Sequence, residues 1–408
     1  MHKFALLISA AIVLGSCKAP KTPNAEHLHP RPSVPIKEGV LDNLKSPWSI
    51  AFISDTDALI SEKGGNLIRV NLVDKSRSII DGFPDDLAND SAGEPYKGGN
   101  NGIFDVVLDP DFAENNYIYV AYSARQDTAF TTKIIRGQLN GKTLKNVETL
   151  FVATPFTENE RYHYGGGLLF GFDGKLYVTI GERLFTEKDQ PDIPIAQDLS
   201  DTRGKIYRLN PDGSIPDDNP DFGEEAVPGI YALGIRAAQG LTVHPKTGEI
   251  WFSEHGTHQG DEINKLAAGA NYGWPIHTTG KYRFADYDPP RMEHRDFTDP
   301  EWYWRHTVAP TGLTFYSGDE FPAWQDDLLV PGLSIGSLWR VNFEEDEIIG
   351  LETLFVNDRA RTRKVKQSPN GTLYILTDTH FSIVPGQGLV DHGGPDGQLV
   401  RIRNAEAN

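Results

Sequence analysis

Cysteine, excess positive charge and long apolar runs are all scarce in this sequence. One cysteine, Cys17, occurs among 408 residues, so no disulfide can form within the chain and stability must come from the core and from bound ions. The formal net charge is −18, which argues against a nucleic-acid binder because such proteins need a basic face to replace counterions. No stretch shows convincing helical amphipathicity, so an α/β fold is disfavoured.

The N-terminal residues are typical of an export signal. An apolar core over residues 4–14 follows Lys3, is too short to span a bilayer, and leads through small residues to Cys17. This arrangement resembles the bacterial lipobox, in which the cysteine is diacylated after cleavage. We therefore predict a signal peptide over residues 1–16 and a lipid-anchored, proline-rich flexible tether over residues 17–40. The expected location is outside the cytoplasm, facing the periplasm or the cell surface; the alternative is a plain secreted protein with an incidental cysteine.

Glycine, proline and aromatic residues are plentiful instead. The 40 Gly and 27 Pro indicate many turns, which are typical of short strands. A strand–turn–strand–turn–strand pattern recurs six times, in copies that begin near Trp48, Gly102, Gly165, Gln239, Pro310 and Lys364. Such repetition predicts an all-β, six-bladed β-propeller over residues 41–408, whereas a β-sandwich would need fewer and more uniform strands. In a propeller, the ends of the inner strands surround a central funnel in which ligands bind.

The third copy contains a candidate general base. His163 stands before three glycines, and a strand that follows an Asp–Gly turn ends at Glu182. Glycines beside a polar side chain let a planar ligand or a second backbone come close, because they have no Cβ. A carboxylate near an imidazole can hold its tautomer and raise its basicity. We expect the two side chains to meet, although a histidine in a turn is more often structural.

Arginines stand at two other strand ends. Arg236 heads the fourth copy, and Arg359, Arg361 and Arg363 alternate before the last one. Alternation along a strand places these three side chains on one face. They form either a solvated surface or a site for a multiply charged anion, since guanidinium groups pair well with carboxylates.

Residues 253–264 are rich in potential metal ligands. His255 and His258 are three positions apart, a spacing that suits a transition metal. The glycine-rich loop with Asp261 and Glu262 suits calcium at least as well, because hard cations take carboxylates and backbone carbonyls. Spacing does not decide between them, and Glu262 is a candidate calcium ligand.

From Leu44 to Arg403 the chain resembles the soluble PQQ-dependent aldose (glucose) sugar dehydrogenases, quinoproteins that carry pyrroloquinoline quinone (PQQ). The motifs that carry the resemblance are residues 47–52, 102–112, 163–166, 234–236, 254–256, 260–264, 269–275 and 361–363. Each is weak alone, but together and in this order they are specific. The resemblance implies the same six-bladed propeller that the repeats predict.

The resemblance also implies roles for the candidate residues. It makes His163 the base that takes the C1-hydroxyl proton of a sugar, Glu182 its support, and Arg236 the group that stabilises negative charge on the cofactor. The implied PQQ-binding residues are Asn100, Gln239, Arg361 and Arg363. The backbone carbonyls of Gly256 and Thr257 match the family's calcium ligands.

The sequence departs from the family at several positions. Gly167 stands where arginine is frequent, Ala237 where asparagine is usual, and Ser334 where some members have a lysine. Glu182 replaces the usual aspartate, and Asn100 the usual glutamine. The base and the arginines are retained, so PQQ binding remains the expectation.

The expected function is oxidation of an aldose sugar or a related alcohol by hydride transfer to PQQ, with a quinone or cytochrome as the downstream electron acceptor. One alternative is a calcium-dependent propeller lactonase or other hydrolase, which needs carboxylate and amide ligands converging on the axis, where the candidates here are basic. The other is a non-catalytic propeller that binds sugar or protein. Ala237 and Ser334 favour that alternative, whereas the pairing of His163 with Glu182 does not.

Overall fold

The computed structural model describes residues 34–88, 100–158, 162–184, 186–292, 296–334, 336–344, 347–356, 360–378, 381–384, 388–391 and 397–405. The predicted signal peptide, the lipidation site Cys17 and Arg359 lie outside these ranges. None of the helices within them is long and apolar enough to cross a membrane.

Almost all regular structure in the described part of the chain is β. The strands are β1 (Pro35–Leu44), β2 (Pro47–Phe52), β3 (Asp57–Glu62), β4 (Leu67–Asn71), β5 (Arg77–Ile79), β6 (Ile103–Leu108), β7 (Tyr117–Gln126), β8 (Ala129–Asn140), β9 (Thr143–Val152), β10 (Gly165–Phe170), β11 (Leu176–Ile180), β12 (Lys205–Leu209), β13 (Ile230–Leu233), β14 (Ala238–Val243), β15 (Ile250–Glu254), β16 (Asp261–Lys265), β17 (Trp302–Trp304), β18 (Thr314–Phe315), β19 (Leu328–Pro331), β20 (Leu338–Glu344), β21 (Glu347–Leu354), β22 (Thr362–Gln367), β23 (Leu373–Thr377), β24 (Phe381–Val384), β25 (Gly388–Asp391) and β26 (Gly397–Asn404). The helical segments are α1 (Phe112–Asn115) and the 3₁₀ turns Glu187–Asp189, Ile195–Gln197 and Pro322–Trp324.

Within these ranges the strands form six four-stranded antiparallel sheets and one separate hairpin, β24–β25. The inner strands β2, β6, β10, β14, β18 and β22 contact one another in that order, and β22 returns to β2. This closed ring confirms the predicted six-bladed propeller, with one blade for each copy of the sequence pattern. The pattern had predicted three strands in each blade; the fourth, outer strand was missed because its residues are largely exposed and carry little apolar alternation, as in β5.

The last blade is closed by the N-terminal strand. Its strand order is β1-β26-β23-β22, and β1 pairs antiparallel with β26 from Pro35, opposite Asn404. Residues 35–40 therefore belong to the propeller and not to the predicted tether, so the boundary at residue 41 was placed too late. Half of the residues of β1 are exposed, which is why its sequence looks like a linker; main-chain pairing and the buried Leu41 and Leu44 hold it in place.

The core lies between neighbouring blades. Phe104, Tyr119, Leu168, Val178 and Tyr207 form one cluster that joins the second and third blades, and each is at most 2% exposed. Sheets packed face to face in this way bury both faces of a blade, which accounts for the β-branched and aromatic content.

Five of the six inner strands are irregular at their first residues. The strand pairing shifts between Pro47 and Ser49, Ile103 and Val106, Gly165 and Leu168, Ala238 and Gly240, and Thr362 and Lys364. A β-bulge of this kind turns a side chain away from its usual face. The residues within four of the shifts, Trp48, Phe104, Gln239 and Arg363, all line the central cavity.

Candidate active site

A cavity of about 300 Å³ lies at the end of the propeller axis where the inner strands begin. Eight predicted site residues line it: Asn100, His163, Arg236, Gln239, Gly256, Thr257, Arg361 and Arg363. Sequence reasoning assigned no role to several other lining residues, including Trp48, Lys63, Phe104, Tyr162 and Arg283. Two predicted residues, Glu182 and Glu262, do not line this cavity.

His163 is held in a left-handed backbone conformation, with φ of 52°, directly before β10. The carbonyl of His163 packs against Gly181, where an added Cβ would lie 2.0 Å from the carbonyl oxygen. Arg183 supports the same turn, because its Nη1 donates to the carbonyl of Tyr162 and its guanidinium lies 3.4 Å from the centre of the Tyr164 ring. The glycine and the arginine together fix the position of the imidazole.

The predicted pairing of His163 with Glu182 is present. Nδ1 of the imidazole lies 3.4 Å from Oε1 of Glu182, and no described residue gives Nδ1 a well-aligned hydrogen bond. The other carboxylate oxygen accepts hydrogen bonds from Nε2 of Gln190, at 2.6 Å, and from the indole N–H of Trp274. The carboxylate is thus fixed with one oxygen facing Nδ1, which leaves Nε2 as the nitrogen available to a ligand.

Burial sets the protonation of this pair. It lowers the pKa of His163 well below its ordinary value, and the charge of Arg236 adds to the effect. Burial also raises the pKa of Glu182 to about 7, against the opposing charge of Arg236 and the hydrogen bonds from Trp274 and Gln190. At neutral pH the imidazole is therefore uncharged and able to accept a proton.

Arg236 links the base to the loop that follows β15. Its Nε lies 3.8 Å from Oε1 of Glu182, and its Nη1 donates to the carbonyls of Gly256, at 2.7 Å, and His255, at 3.2 Å. Its own backbone N–H donates to the buried carboxylate of Glu254. The guanidinium is therefore held at the cavity wall by Glu182 and by the carbonyls of His255 and Gly256.

The three predicted calcium ligands lie around two adjoining cavities, and Gly256 lines both. Gly256 and Thr257 line the main cavity, and the carbonyl of Thr257 accepts a hydrogen bond from Arg283 at 3.3 Å. Glu262 and Glu254 line an adjoining cavity of about 20 Å³, which Arg236, His255 and Gly256 also line. Alternation along β16 turns Glu262 away from Asp261, which faces the main cavity. These two glutamates pair directly across the strands, and burial raises the pKa of Glu262 to about 7.

The transition-metal alternative has no support in the described residues. No group of three or more His, Cys, Asp or Glu side chains among them is arranged to hold a metal ion. Nε2 of His255 lies 2.9 Å from the carbonyl of Pro310, a contact within the fold, and His258 is exposed.

Arg361 and Arg363 stand together on the cavity wall at the start of β22, in agreement with the predicted shared face. Nη1 of Arg363 donates to Oε1 of Gln239 at 3.1 Å, and its Nη2 donates to Asp378 at 3.2 Å. Nζ of Lys63 donates to the same oxygen of Asp378, also at 3.2 Å. These side chains form a cationic wall supplied by the first and last blades.

The cavity is strongly cationic although the chain carries a net charge of −18. The basic side chains in its described lining are Lys63, Arg236, Arg283, Arg361 and Arg363. The one acidic residue in that lining is Asp261, whose carboxylate already accepts hydrogen bonds from the backbone N–H groups of Gly256, Val308 and Ala309. A site of this composition favours an anionic ligand.

The residues at which the sequence departs from the family, Gly167, Ala237 and Ser334, have different surroundings in the structure. Ser334 lines the cavity, whereas Ala237 is fully buried and is not among the lining residues. At Gly167 an added Cβ would lie 3.1 Å from Oγ1 of Thr179 and 3.3 Å from the carbonyl of Gln239, so the inner strand has little room for a larger residue.

Two aromatic residues that sequence reasoning left without a role add a flat, apolar side to the cavity. The ring centres of Trp48 and Phe104 are 5.9 Å apart, and those of Phe104 and Tyr164 are 4.9 Å apart. Their positions at inner-strand bulges, within motifs 47–52 and 102–112, were the available signal. Arg283 lies in the long insert after β16 and gave no such signal.

Known proteins share both the sequence and this architecture. The family model for glucose/sorbosone dehydrogenase matches residues 44–384. The aldose sugar dehydrogenase YliI of Escherichia coli (strain K12) is 32% identical, with 93% of this chain and 96% of that protein covered. The quinoprotein glucose dehydrogenase B of Acinetobacter calcoaceticus is 28% identical, with 87% of each chain covered.

Solved structures give the same result. The soluble aldose sugar dehydrogenase of Escherichia coli in its apo form superposes with a TM-score of 0.77 at 30% identity, covering 91% of this chain and 100% of that one. A PQQ-bound aldose sugar dehydrogenase from Streptomyces coelicolor, at 23% identity and a TM-score of 0.70, covers 92% of this chain and 99% of that one and shares the fold. With the family model matching most of the described propeller, the chain belongs to the glucose/sorbosone dehydrogenase family.

Proposed function

We propose that this protein is a PQQ-dependent dehydrogenase that oxidises the C1 hydroxyl group of an aldose or a related alcohol. The observation that carries the proposal is the composition of the central cavity: five basic side chains and one acid surround a buried, neutral imidazole. A quinone or cytochrome is the proposed downstream electron acceptor.

The residues present fit PQQ. PQQ is a flat ortho-quinone with three carboxylates, and guanidinium and ammonium groups are the natural partners of carboxylates. Arg361 and Arg363 would hold these carboxylates, with Gln239 and Asn100 beside them. Trp48 and Phe104 offer the apolar surface that a flat ring system requires.

In the proposed reaction the side chains of this chain handle the proton. Nε2 of His163 accepts the proton of the C1 hydroxyl, and Glu182 stabilises the resulting imidazolium and holds the Nδ1–H tautomer. Arg236 keeps a buried positive charge at the cavity wall, where it favours negative charge on a bound cofactor. When bound, PQQ supplies the acceptor for the hydride.

Calcium belongs to the proposal together with PQQ. The carbonyls of Gly256 and Thr257 each accept a hydrogen bond from an arginine, and each keeps a second lone pair. Two carbonyl oxygens are too few for calcium, which takes roughly six to eight oxygen ligands. The remaining ligands must come from the cofactor and from water, so we propose that calcium and PQQ bind as a pair.

We also propose that the protein is exported and anchored through a lipid on Cys17. The support is the sequence alone. Expression with labelled fatty acid should label the wild type and not Cys17→Ala, and the variant should be released from the membrane fraction. Labelling of the variant would contradict the anchor.

The function is tested by reconstituting the protein, without residues 1–17, with PQQ and calcium and following dye-linked oxidation of a panel of aldoses. We expect saturable, calcium-dependent activity that His163→Ala abolishes. Replacing His306, an exposed histidine outside the cavity, by alanine is the matched control.

Absence of PQQ binding at micromolar concentration would refute the proposal. Binding without turnover of any aldose or alcohol would instead support a propeller that captures its ligand. Lactonase activity would need several carboxylate ligands, whereas the described cavity lining supplies one, that of Asp261.

A further inference from the structure

We propose that Lys63 is a third cation of the cofactor site, which binds a carboxylate of PQQ alongside Arg361 and Arg363. This inference rests on the proposed function and deepens it. The resemblance gave no role to Lys63, which follows the second strand of the first blade, about three hundred positions before the arginines.

Closure of the propeller brings Lys63 to this wall. The inner strands of the first and last blades, β2 and β22, are neighbours in the ring, so the end of β3 faces the start of β22. The backbone of Lys63 is fixed there: its N–H donates to the carbonyl of Ser46 at 3.2 Å, and an added Cβ on Gly102 would lie 1.4 Å from its carbonyl oxygen. The Lys63 side chain is 9% exposed and lines the cavity.

One carboxylate of this wall, that of Asp378, is shared by two cations. Lys63 and Arg363 both donate to the same oxygen of Asp378, at 3.2 Å each. The other oxygen of Asp378 is buried without a hydrogen-bond partner among the described residues. Burial would raise the pKa of Asp378, but the charges of Lys63, Arg363 and Arg361 outweigh it and hold that pKa well below its usual range. Asp378 therefore stays ionised, and a ligand carboxylate at Nζ would give Lys63 a second anionic partner.

Lys63 has the donors for a second anion. An ammonium group carries three N–H donors, and one of them is directed to Asp378. Burial lowers the pKa of Lys63 to about 8. The positive charges of Arg363 and Arg361 lower this pKa further, and the negative charge of Asp378 raises it. A carboxylate bound at Nζ would raise that pKa again, so binding above pH 8 must take up a proton.

The test measures PQQ affinity, not activity. PQQ would be titrated into the calcium-loaded protein without residues 1–17, following quenching of tryptophan fluorescence, from pH 7 to pH 9.5. At pH 7 we expect Lys63→Met to weaken binding by roughly 10-fold or more, the effect of losing one charge-assisted hydrogen bond. In the wild type, Kd should rise by up to about tenfold per pH unit above pH 8.

Two further variants isolate the cause. Lys63→Arg should bind PQQ at pH 7 close to wild type and lack the rise in Kd above pH 8, because a guanidinium does not titrate there. Lys366, in β22 of the last blade, also has a pKa lowered to about 8 by burial but does not line the cavity, so Lys366→Met is the matched control and should behave as wild type.

The outcomes separate this inference from the function. If the wild type binds PQQ and Lys63→Met binds it equally well with the same pH profile, the assignment of Lys63 is overturned and the dehydrogenase proposal stands. If the wild type does not bind PQQ, both are overturned. If Lys63→Met fails to fold, the profile of Lys63→Arg decides: a retained rise in Kd above pH 8 overturns the assignment.

Discussion

Replacing Glu182 by glutamine should increase the stability of the protein at neutral and alkaline pH and remove most of its activity. The wild-type carboxylate is fully buried in the fold, and burial raises its pKa to about 7 from its ordinary value of 4.5. A raised carboxyl pKa means that the folded state binds the proton more tightly than the unfolded state. Stability from this group is therefore complete below pH 4.5 and is lost as pH rises towards 7.

The size of this effect follows from the shift. At about 1.4 kcal/mol per pKa unit, ionisation of Glu182 costs the folded protein about 3 kcal/mol at pH 8. Glutamine keeps the shape and does not ionise. Relative to wild type, Glu182→Gln should therefore gain about 3 kcal/mol of unfolding free energy between pH 4.5 and pH 8.

The same substitution should remove most of the activity. The carbonyl oxygen of glutamine can keep the hydrogen bonds from Gln190 and Trp274, which turns its NH₂ group towards Nδ1 of His163. An N–H donated to Nδ1 leaves the proton on Nε2, so the ring can no longer accept one there. We expect kcat to fall by about 10²- to 10⁴-fold, the usual contribution of a general base.

Urea unfolding of the calcium-free apo-protein at several pH values measures the first effect, and dye-linked kinetics measure the second. Glu262→Gln is the control variant. The Glu262 carboxyl is also buried with a pKa raised to about 7, so its replacement should change stability with pH in the same way, but it lies outside the main cavity. A stability difference that does not change with pH would refute the assigned environment of Glu182. Wild-type kcat in Glu182→Gln would refute its support of the base.

Three further outcomes are expected. Gly181→Ala should destabilise the protein by more than about 2 kcal/mol, because its Cβ would lie 2.0 Å from the His163 carbonyl, whereas Gly39→Ala, with open space around it, should be near neutral in the same unfolding assay. Removing residues 34–40 should lower stability by about 1–3 kcal/mol, since it deletes part of the β1–β26 pairing; an unchanged calorimetric Tm would contradict the closure of the last blade. In calorimetric titrations PQQ should tighten calcium binding by at least about tenfold, because coupling is reciprocal and the protein supplies two carbonyls. The titrations use Glu262→Gln, which lacks one carboxylate of the smaller cavity. Equal calcium affinities with and without PQQ would refute joint binding.

The sequence was sufficient to group site residues that lie close together in the chain. Residues that share a strand end, such as Gly256 and Thr257 or Arg361 and Arg363, were predicted together because adjacency or alternation keeps them on one wall. Six repeats were enough to predict the ring, since each blade needs neighbours to bury its faces. Glu262 was predicted together with Gly256 and Thr257, but it lines the smaller adjoining cavity and not the main one, because the direction of alternation along β16 depends on which face of the strand meets the axis.

Other features depend on the closed ring and not on local sequence. Lys63 reaches the arginines only because the first blade meets the last, and β1 is recognised as a strand only through its pairing with β26. The two buried residues of β1, Leu41 and Leu44, are three positions apart, so its sequence shows no clear period of two. The bulges that turn Trp48, Phe104, Gln239 and Arg363 inwards also leave no period-two signal, because a bulge interrupts that period.

The order of the blades explains how distant segments act on one ligand. His163 precedes β10 in the third blade, and Arg361 and Arg363 begin the sixth; β10 contacts β6 and β14, whereas β22 contacts β18 and β2, so these blades are opposite in the ring. An anion held by the cationic wall can therefore extend across the axis towards the base, with Arg236 of the fourth blade beside it. A rigid ring fixes that separation, which no single stretch of sequence could do.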